Sequence, residues 1–399
     1  MIPAVCMGMG FNGVTLMGVV RSLARRGVPV CVFSHRQDSP ARYSRLCQYR
    51  DTPDPQWEPD ELERVLVEHA RGLAEKPVLF AVSDPELVFV SQRQERLKQY
   101  YRIVAPECSF LRTLMDKRTQ YRMVDGLGVA MPATYHDLTA AEARTRTIEY
   151  PVVIKPATQG AWPYGRRKGL SVANAAELER ELEGLEQAGA AAVAQSFIPG
   201  PASRIYTVMA YFSRAGEPVA WGTYRKVRQF PADFGLACVA ETVSAPALEE
   251  TALRLLRELG FKGVCGIEFK QDPRDGVFRF IELNPRFEMS NSLLACAGAD
   301  MAWAMYTDLA GIAPPMFACR PGVGWMALNL EWKACRERAA QGEFHWRSWA
   351  SSIRGVRTEA LLAWDDPLPG LAAYLGTIRN ILAPGRKTAH GTAANRSAA

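Results

Sequence analysis

Two polar residues stand in a run that otherwise suits a buried β-strand. In FIELNPRF, residues 280–287, Glu282 and Asn284 interrupt the apolar residues, and Pro285 ends strand pairing just before Arg286. A buried carboxylate without a partner is strongly unfavourable, so Glu282 requires a partner that neutralises it. This requirement points to chemistry at the end of the strand.

A second acidic residue belongs to the same unit. The runs GVCGIEFK and VFRFIELN are joined by QDPRDG, a turn-rich linker, which predicts an antiparallel hairpin with its turn near Arg274. Glu268 then lies almost opposite Phe280–Glu282, and side-chain alternation puts Glu268, Glu282 and Asn284 on one face. Oxygen ligands without His or Cys favour Mg²⁺ over zinc. The alternative is a plain hairpin whose acids face solvent.

Mg²⁺ held by so few protein ligands usually bridges phosphates, which directs attention to the lysines. The sequence contains no GxxxxGK[ST] motif, but Lys117 begins a predicted helix and Lys226 lies near the end of the strand WGTYRKVRQ. Lys168 follows two arginines in a glycine-containing loop. Any of these could be a solvated lysine, whereas Lys155 ends an apolar strand and precedes Pro156, a setting that favours function.

A glycine motif lies near the N-terminus. GMGFNG matches GxGxxG at Gly8, Gly10 and Gly13, between a predicted strand and a predicted helix. The next strand ends CVFSHRQ, which offers no carboxylate for a ribose, although Arg36 could suit a 2′-phosphate. Three interpretations stay open: NADP binding, a tight turn in a Rossmann-like lobe, or backbone amides that face a substrate carboxylate or phosphate.

The elements that must position these residues change character along the chain. Residues 3–105 alternate between strands and helices, which predicts a parallel, doubly wound sheet. After about residue 200 the strands suit antiparallel pairing, interrupted by one helix in PALEETALRLLRELG. The fold class is therefore α/β, with an α+β catalytic part. Residues 316–383 are mixed and rich in Trp, and close with a helix near LPGLAAYLGTIRNIL.

Composition indicates which kinds of partner and which cellular compartment to expect. Lys and Arg total 48 against 42 Asp and Glu, without a long basic run, so a nucleic-acid partner is not favoured. The nine cysteines are scattered, odd in number and without a CxxC pair, which indicates free thiols in a reducing cytoplasm. Neither a membrane-spanning apolar run nor a secretory signal is expected. The polar tail PGRKTAHGTAANRSAA is expected to be disordered.

Six motifs between about residues 110 and 300 resemble, in order, those of the ATP-grasp ligases. They are MDKRTQYRM, YPVVIKPA, a glycine-containing loop, VAQSFIPG, GIEFK and FIELNPR. The N-terminal lobe, which contains GMGFNG and precedes these motifs, is similar to the Rossmann-like pre-ATP-grasp domain of these enzymes. RKVRQFP and SDPEL resemble a subgroup of predicted carboxylate–amine ligases that includes D-aspartate-ligase-like proteins.

The resemblance, which covers roughly residues 5–310, and the composition of the remaining residues together predict a division of the chain into five parts. These are a pre-ATP-grasp domain (1–108), a small lid subdomain (109–200), a catalytic subdomain with the magnesium-binding hairpin (201–315), a C-terminal segment packed on the core (316–384) and a disordered tail (385–399).

The same resemblance implies ATP and one or two Mg²⁺ ions as cofactors, with Mn²⁺ able to substitute. The implied nucleotide-binding residues are Lys117 and Lys155 on the phosphates, Lys168 in a lid formed by 159–169, and the adenine hinge Gln195, Ser196, Phe197 and Ile198. Glu268, Glu282 and Asn284 would hold the metal, and Arg286 would lie over the transferred phosphate. The family commonly has an acid after the hinge for the ribose, and SFIPGPASR lacks one.

The substrates are expected between the N-terminal lobe and the hairpin. The candidate substrate residues are Gly10, Asn12, Asp84 and Arg204. Lys226 and Arg228, two apart on a strand, are expected to share a face that suits an anionic substrate, or else merely to cap the strand.

The resulting prediction is a ligase that activates a carboxylate as an acyl phosphate and joins it to an amine. Both substrates are small molecules, and the protein is a monomer or homodimer. The alternatives are an NADP-dependent reductase that uses GMGFNG, and an ATP-binding protein without ligase activity.

Overall fold

The computed structural model describes residues 1–158, 162–165 and 168–382, with side chains through residue 375 of the last helix. Within these residues the strands form three sheets, of four, four and seven strands. Each sheet carries a different part of the candidate site.

The N-terminal lobe contains the first sheet, in which the described strands all pair in parallel. Its elements are β1 (Ala4–Met7), α1 (Val14–Ala24), β2 (Val30–Ser34), β3 (Gln48–Asp51), α2 (Pro59–Arg71), β4 (Val78–Ala81), α3 (Asp84–Gln92), α4 (Gln94–Leu97) and α5 (Cys108–Met115). The predicted doubly wound lobe is confirmed, and two helices, α3 and α4, follow β4. The strand-to-helix turn holds Gly8, Gly10 and Gly13 at positive φ, where L side chains are disfavoured.

The second sheet is antiparallel in its described pairs and lies next to α8. The elements of this part are α6 (Lys117–Gly126), β5 (Thr134–Tyr135), α7 (Ala140–Thr145), β6 (Val152–Pro156), β7 (Leu170–Val172), α8 (Ala175–Gln187) and β8 (Ala192–Ser196). Asn174 caps α8, because its side chain accepts a hydrogen bond from the Glu177 N–H at 3.0 Å. Apolar residues of α8 pack on β6 and β8, so this sheet has its own small core.

The third sheet is the largest and bears the predicted hairpin. Its elements in the catalytic part are β9 (Ile205–Phe212), β10 (Pro218–Phe230), β11 (Leu236–Val243), α9 (Pro246–Glu258), β12 (Gly263–Gln271), β13 (Phe278–Asn284), α10 (Asn291–Ala297) and α11 (Met301–Ala310). Pairing from β13 through β11 is antiparallel, which confirms the predicted change of strand direction. α1 and α11 share a core with β9 and β10, so the N-terminal lobe packs directly on this sheet.

The C-terminal segment extends this sheet and touches the N-terminal lobe. Its elements are β14 (Gly324–Met326), α12 (Leu328–Ala340), α13 (Trp346–Ser352), β15 (Val356–Glu359) and α14 (Leu368–Leu382). β14 pairs with β11, and Asp366 forms a buried ion pair with Arg21 of α1 at 3.2 Å. The predicted closing helix is confirmed, while the predicted disordered tail (385–399) lies outside the described residues.

All nine cysteines lie in the described residues and are free thiols. No helix in the described part of the chain combines the length and apolarity needed to cross a bilayer.

Candidate active site

The hairpin of β12 and β13 brings the predicted acidic residues together. Glu268 is the direct cross-strand partner of Glu282, and Gly266 is the partner of Asn284. Asn284 Nδ2 donates to Glu282 Oε1 at 3.2 Å, so these two side chains meet on one face. The shared face predicted from strand alternation is therefore confirmed.

A register shift in β13 makes this arrangement possible. Glu268 pairs with Glu282 and Phe269 pairs with Phe280, which leaves Ile281 as an extra residue, a β-bulge. The bulge lets Phe280 enter the core, where its ring meets that of Phe269 at 6.0 Å, while Glu282 faces the opposite side. Without the extra residue, Phe280 and Glu282 would share a face.

Helix α6 forms hydrogen bonds with the bulged strand β13, which lies at the edge of its sheet. Gln120 accepts a hydrogen bond from the Leu283 N–H at 3.0 Å and donates to the Leu283 carbonyl at 2.8 Å. Tyr121 donates its hydroxyl to the Ile281 carbonyl at 2.9 Å. Because α6 takes the place of a neighbouring strand, it sets Lys117, its first residue, 3.0 Å from Glu282.

Each of the two carboxylates is neutralised by a lysine. Lys117 is the largest influence that holds the pKa of Glu282 well below its usual range, and Lys168 and Lys155 act in the same direction against burial. Lys226, which is buried, lies 2.8 Å from Glu268. Cations from distant parts of the chain therefore neutralise the acid in FIELNPRF.

Lys155 occupies a position with little access to water. Its Nζ donates to Gln195 Oε1 at 2.7 Å and to the Tyr121 hydroxyl at 3.2 Å. Desolvation, followed by repulsion from Lys117, lowers the pKa of Lys155 to about 8. A charged lysine that is partly buried beside another lysine is electrostatically unfavourable. A bound polyanion such as a triphosphate would stabilise it.

Lys168, which belongs to the predicted lid, lies near the same carboxylates. Its pKa is lowered, first by desolvation in the mouth of the site even though the side chain keeps exposed surface, and Glu282 and Glu268 oppose that shift. Of the predicted lid (159–169), residues 159–161, 166 and 167 lie outside the described residues.

The predicted hinge follows β8, next to Lys155. The Phe197 N–H donates to the Pro151 carbonyl at 2.9 Å, so this amide is engaged within the protein. The Ile198 carbonyl accepts from Lys270 Nζ at 2.7 Å, and Lys270 also lies over the Phe197 ring. Ser196 is buried at the same strand end. Lys270, which sequence reasoning missed, shares a face of β12 with Glu268 because strands repeat every two residues.

Arg286 links the hairpin to the N-terminal lobe. Its Nε donates to Asp84 Oδ1 at 2.7 Å, and Asp84 is the first residue of α3. The structure thus brings together a residue predicted for phosphate and one predicted for substrate. Gly10 and Asn12 lie in the turn after β1, where both have positive φ. Arg204 lies elsewhere, 3.3 Å from Gln271 Oε1 near the turn of the hairpin.

The expectation that Lys226 and Arg228 share a substrate-facing surface is wrong. A register shift separates them on β10, and Arg228 forms a buried ion pair with Glu331 of α12 at 2.6 Å. Arg228 is committed to the C-terminal segment, whereas Lys226 faces Glu268. The physical reason is the bulge, which changes side-chain alternation in a way that residue spacing does not reveal.

Glu288 is a further side chain that sequence reasoning missed. It accepts from Asn284 Nδ2 at 3.1 Å and from the Tyr224 hydroxyl at 2.6 Å. Burial raises its pKa, and Glu268 and Glu282 add to the effect. A Cβ on Gly266 would come within 2.6 Å of Glu288 Oε1, so this glycine makes room for the carboxylate. Gly266 inside an apolar strand was the available signal.

The donor set fits a hard divalent cation. Glu268, Glu282 and Asn284 supply carboxylate and amide oxygens from one face, and the amide NH₂ of Asn284 is used by Glu282 and Glu288. In the described part of the chain no three His, Cys, Asp or Glu side chains form a group that could hold a metal ion. The groups that would hold a cation here are the carboxylates of Glu268 and Glu282 and the amide oxygen of Asn284.

Comparison with known proteins identifies the architecture. Residues 240–309 match the family described as the carbamoyl-phosphate synthase L chain, ATP binding domain. D-aspartate ligase of Enterococcus faecium (strain Aus0004) is 23% identical over 311 residues, which cover 73% of this chain and 73% of that protein.

Solved structures agree on the fold. L-amino acid ligase from Bacillus licheniformis is similar with a TM-score of 0.57 and 15% identity, over 81% of this chain and 78% of that one. A complex of biotin carboxylase from Campylobacter jejuni gives a TM-score of 0.59 and 18% identity, over 80% and 74%. The sequence relatives and the solved structures agree on the fold, which is the predicted ATP-grasp fold.

Proposed function

We propose that the protein is an ADP-forming ligase that uses ATP and Mg²⁺ to join a carboxylate to an amine. The observation that carries the proposal is the paired carboxylates of β12 and β13, each with a lysine and next to Arg286. The relatives support it, since their names include D-aspartate ligase and L-amino acid ligase.

The chemistry suits such a site because phosphoryl transfer depends on positioning and charge neutralisation. A substrate carboxylate oxygen attacks the γ-phosphorus of ATP; an O–P bond forms, the bond to the β-phosphate oxygen breaks, and ADP leaves. Lys117, Lys155 and Lys168 would offset the charge that accumulates when one anion approaches another.

When bound at Glu268, Glu282 and Asn284, one or two Mg²⁺ ions, or Mn²⁺ in their place, would neutralise the phosphate oxygens. Lys117 and Lys226 hold these carboxylates in place in the free protein. When the metal and ATP bind, these lysines would move from the carboxylates to the phosphates. The net charge of the site would then stay nearly balanced before and after binding.

The second half-reaction joins the amine. The uncharged amine nitrogen attacks the acyl carbon, a C–N bond forms and the C–O bond to phosphate breaks. Inorganic phosphate departs with the proton that the nitrogen loses. Arg286 would offer its planar guanidinium to the phosphoryl group, in exchange for its present contact with Asp84.

The adenine would lie by the hinge after β8. Gln195 is already fixed by Lys155 and by a hydrogen bond from its Nε2 to Thr134, so Ser196, Phe197 and Ile198 extend from a rigid strand end. Gly10, Asn12 and Asp84 would lie on the substrate side, and Arg204 on the side of the hairpin turn. The protein would work in the cytoplasm as a monomer or homodimer.

A phosphate-release screen tests the proposal. The full chain is incubated with ATP, Mg²⁺ and a panel of amino acids and other carboxylates, with hydroxylamine present to trap an acyl phosphate as a hydroxamate. The expected result is ADP, phosphate and hydroxamate in equal amounts with at least one carboxylate. Nucleotide binding without turnover on any carboxylate and amine mixture would instead indicate an ATP-binding protein without ligase activity.

Thermal shifts with NADPH and with ATP–Mg²⁺ separate the remaining alternative. The structure does not favour NADP, because Arg36, the side chain considered for a 2′-phosphate, forms a two-point ion pair with Asp38 at 2.9 and 3.0 Å. Stabilisation by NADPH alone would support a reductase and contradict the proposal.

A further inference from the structure

The last helix presents an apolar surface to solvent, outside the candidate active site. The α14 patch consists of Trp364, in the turn before α14, and of Leu368, Leu371 and Leu375 on the helix. Trp364 is fully exposed, and the three leucines are 57%, 47% and 64% exposed. Neighbouring apolar side chains that are this exposed are typical of surfaces that bind a protein or a membrane.

The opposite side of α14 fixes the orientation of the helix. Tyr374 donates its hydroxyl to Glu359 Oε1 of β15. Gly370 lies so close to the preceding segment that a Cβ there would come within 2.7 Å of the Leu362 side chain. The three leucines of the patch recur at i, i+3 and i+7, so they line one side of the helix. Docking through Gly370 and Tyr374 therefore leaves the leucine side toward solvent.

The acids beside the patch are already engaged within the protein. Asp366 pairs with Arg21, and Asp365 pairs with Arg25. Glu359 accepts a hydrogen bond from the helix itself. These carboxylates are therefore neutralised or held by other groups, and the surroundings of the patch would not strongly repel an anionic surface.

The sequence from the start of α14 onward is basic. Residues 368–399 contain no Asp or Glu, and their Lys and Arg residues are Arg379, Arg386, Lys387 and Arg396. An apolar helix side combined with cationic residues is typical of helices that lie in the plane of a membrane interface, and Trp is enriched at that depth. Because anionic lipids attract clustered Lys and Arg, the charge favours an anionic lipid surface as the partner.

A second copy of the chain fits the patch less well. Two copies that met there would bring their basic C-terminal residues together, which is repulsive. Even if each of the four side chains were as large as Trp, at about 250 Å², their exposed fractions would supply less than the roughly 800 Å² per partner of a standard interface. A bilayer surface imposes neither limit.

We propose that the α14 patch binds the surface of an anionic lipid bilayer, with α14 lying along that surface. Trp364 and the leucines would enter the boundary between headgroups and acyl chains, and the basic residues would contact lipid phosphates. The helix would lie on the membrane without crossing it, in keeping with the lack of a bilayer-spanning helix among the described residues. The inference does not depend on the proposed reaction, because no residue of the candidate active site takes part.

Sedimentation of the full chain with sucrose-loaded vesicles tests the proposal. The vesicles contain phosphatidylcholine alone or an equimolar mixture with phosphatidylglycerol. We expect at least about tenfold tighter binding to the anionic vesicles, because each basic residue near such a surface is attracted to it. This difference should largely disappear when salt is raised from about 0.1 M to about 1 M, where charges are screened within about 3 Å. Absence of binding to anionic vesicles would overturn the proposal.

A double variant shows whether the patch is responsible. Leu371→Ser combined with Leu375→Ser should weaken binding to anionic vesicles about tenfold or more, because two leucine side chains no longer enter the membrane. Val277→Ser is the control and should bind as the wild type does. Val277 is 41% exposed and lies in the turn between β12 and β13, at the opposite edge of the large sheet from β15. Thermal unfolding checks that both variants keep the fold.

Equal binding by the wild type and the double variant would contradict the proposal, since another basic surface would then attract the vesicles. Sedimentation velocity without lipid examines the second copy as the occupant. A dimer that dissociates in the double variant, together with a wild type that ignores vesicles, would assign the patch to a second copy and overturn the membrane proposal.

Discussion

Glu282 is surrounded by cationic side chains that come from separate parts of the chain. Lys117 begins α6, Lys155 lies in β6, and Lys168 lies before β7. Their combined attraction more than offsets burial and holds the Glu282 pKa low. This carboxylate is therefore ionised at neutral pH, which is the state in which it can bind a metal.

Replacement of Glu282 by Gln should lower ATP turnover by at least about a hundredfold and leave the fold intact. The amide keeps the shape of the side chain and an acceptor for Lys117, but it removes the charge that the metal requires. Phosphate release measures turnover, and thermal unfolding checks the fold. Glu258→Gln, an exposed acid paired with Arg254 on α9, is the control, and full activity of Glu282→Gln would disprove the metal assignment.

ATP affinity should decline as the pH rises above about 8. Lys155 has its pKa lowered to about 8, so the fraction of free protein with a charged Lys155 falls through this range and fewer molecules can receive the phosphates. Calorimetric titration of ATP between about pH 7 and about pH 9.5 measures the change. Lys155→Gln should bind more weakly at the lower end and lose this dependence; a wild-type affinity that stays constant across the range would contradict the prediction.

Elements of the C-terminal segment hold the strand that carries Lys226. Glu331 of α12 accepts from both Arg228 Nε and Nη2, and from Trp349 Nε1 of α13 at 2.8 Å. Arg228 and Glu331 are about 10% and 2% exposed. Because neither charge has ready access to water, the pair determines how β10 and α12 dock.

Glu331→Gln should lower the free energy of unfolding by about 3–5 kcal/mol, because it leaves Arg228 buried without a counter-charge. The matched control is Glu241→Gln, which breaks the more exposed pair with Arg225 on the same strand and should cost less than about 1 kcal/mol. Urea unfolding measures both. Similar losses in the two variants would show that the burial of the pair has no special effect.

On the scale of the whole molecule, the turn just before the last helix connects the C-terminal segment to the N-terminal lobe. Asp366 binds Arg21 of α1 in a buried pair and also accepts from the Ser44 hydroxyl and the Arg45 N–H. Its neighbour Asp365 binds Arg25 in a pair that is nearly half exposed. Two adjacent aspartates thus form similar ion pairs, one buried (Asp366) and one exposed (Asp365).

Asp366→Ala should destabilise the protein by about 3–5 kcal/mol and speed hydrogen exchange in α1, since Arg21 would remain buried and unpaired. Asp365→Ala should cost less than about 1 kcal/mol. Exchange measured by mass spectrometry over α1 and over α9, which lies elsewhere on the sheet, distinguishes a local from a general effect. Unchanged exchange in α1 would mean that this contact does not stabilise the lobe.

Much of the site follows from local pattern. The shared face of Glu268, Glu282 and Asn284 depends on strand alternation and a recognisable turn, both of which are properties of neighbouring residues. The bulge at Ile281 and the register shift near Arg228 do not follow from neighbouring residues, because they depend on which strand or helix lies alongside. One shift left the predicted face intact, and the other separated two residues expected to act together.

The sequence by itself determined the parallel lobe, the antiparallel hairpin and the ATP-grasp architecture, because these depend on residue periodicity and on motifs in a fixed order. Only the tertiary structure decided which charges meet. Lys117 reaches Glu282 across 165 residues, and Arg228 turns from the predicted site to Glu331 across 103. Such pairings arise when packing brings distant segments together, and the free energy of burying each charge depends on the partner that it then finds.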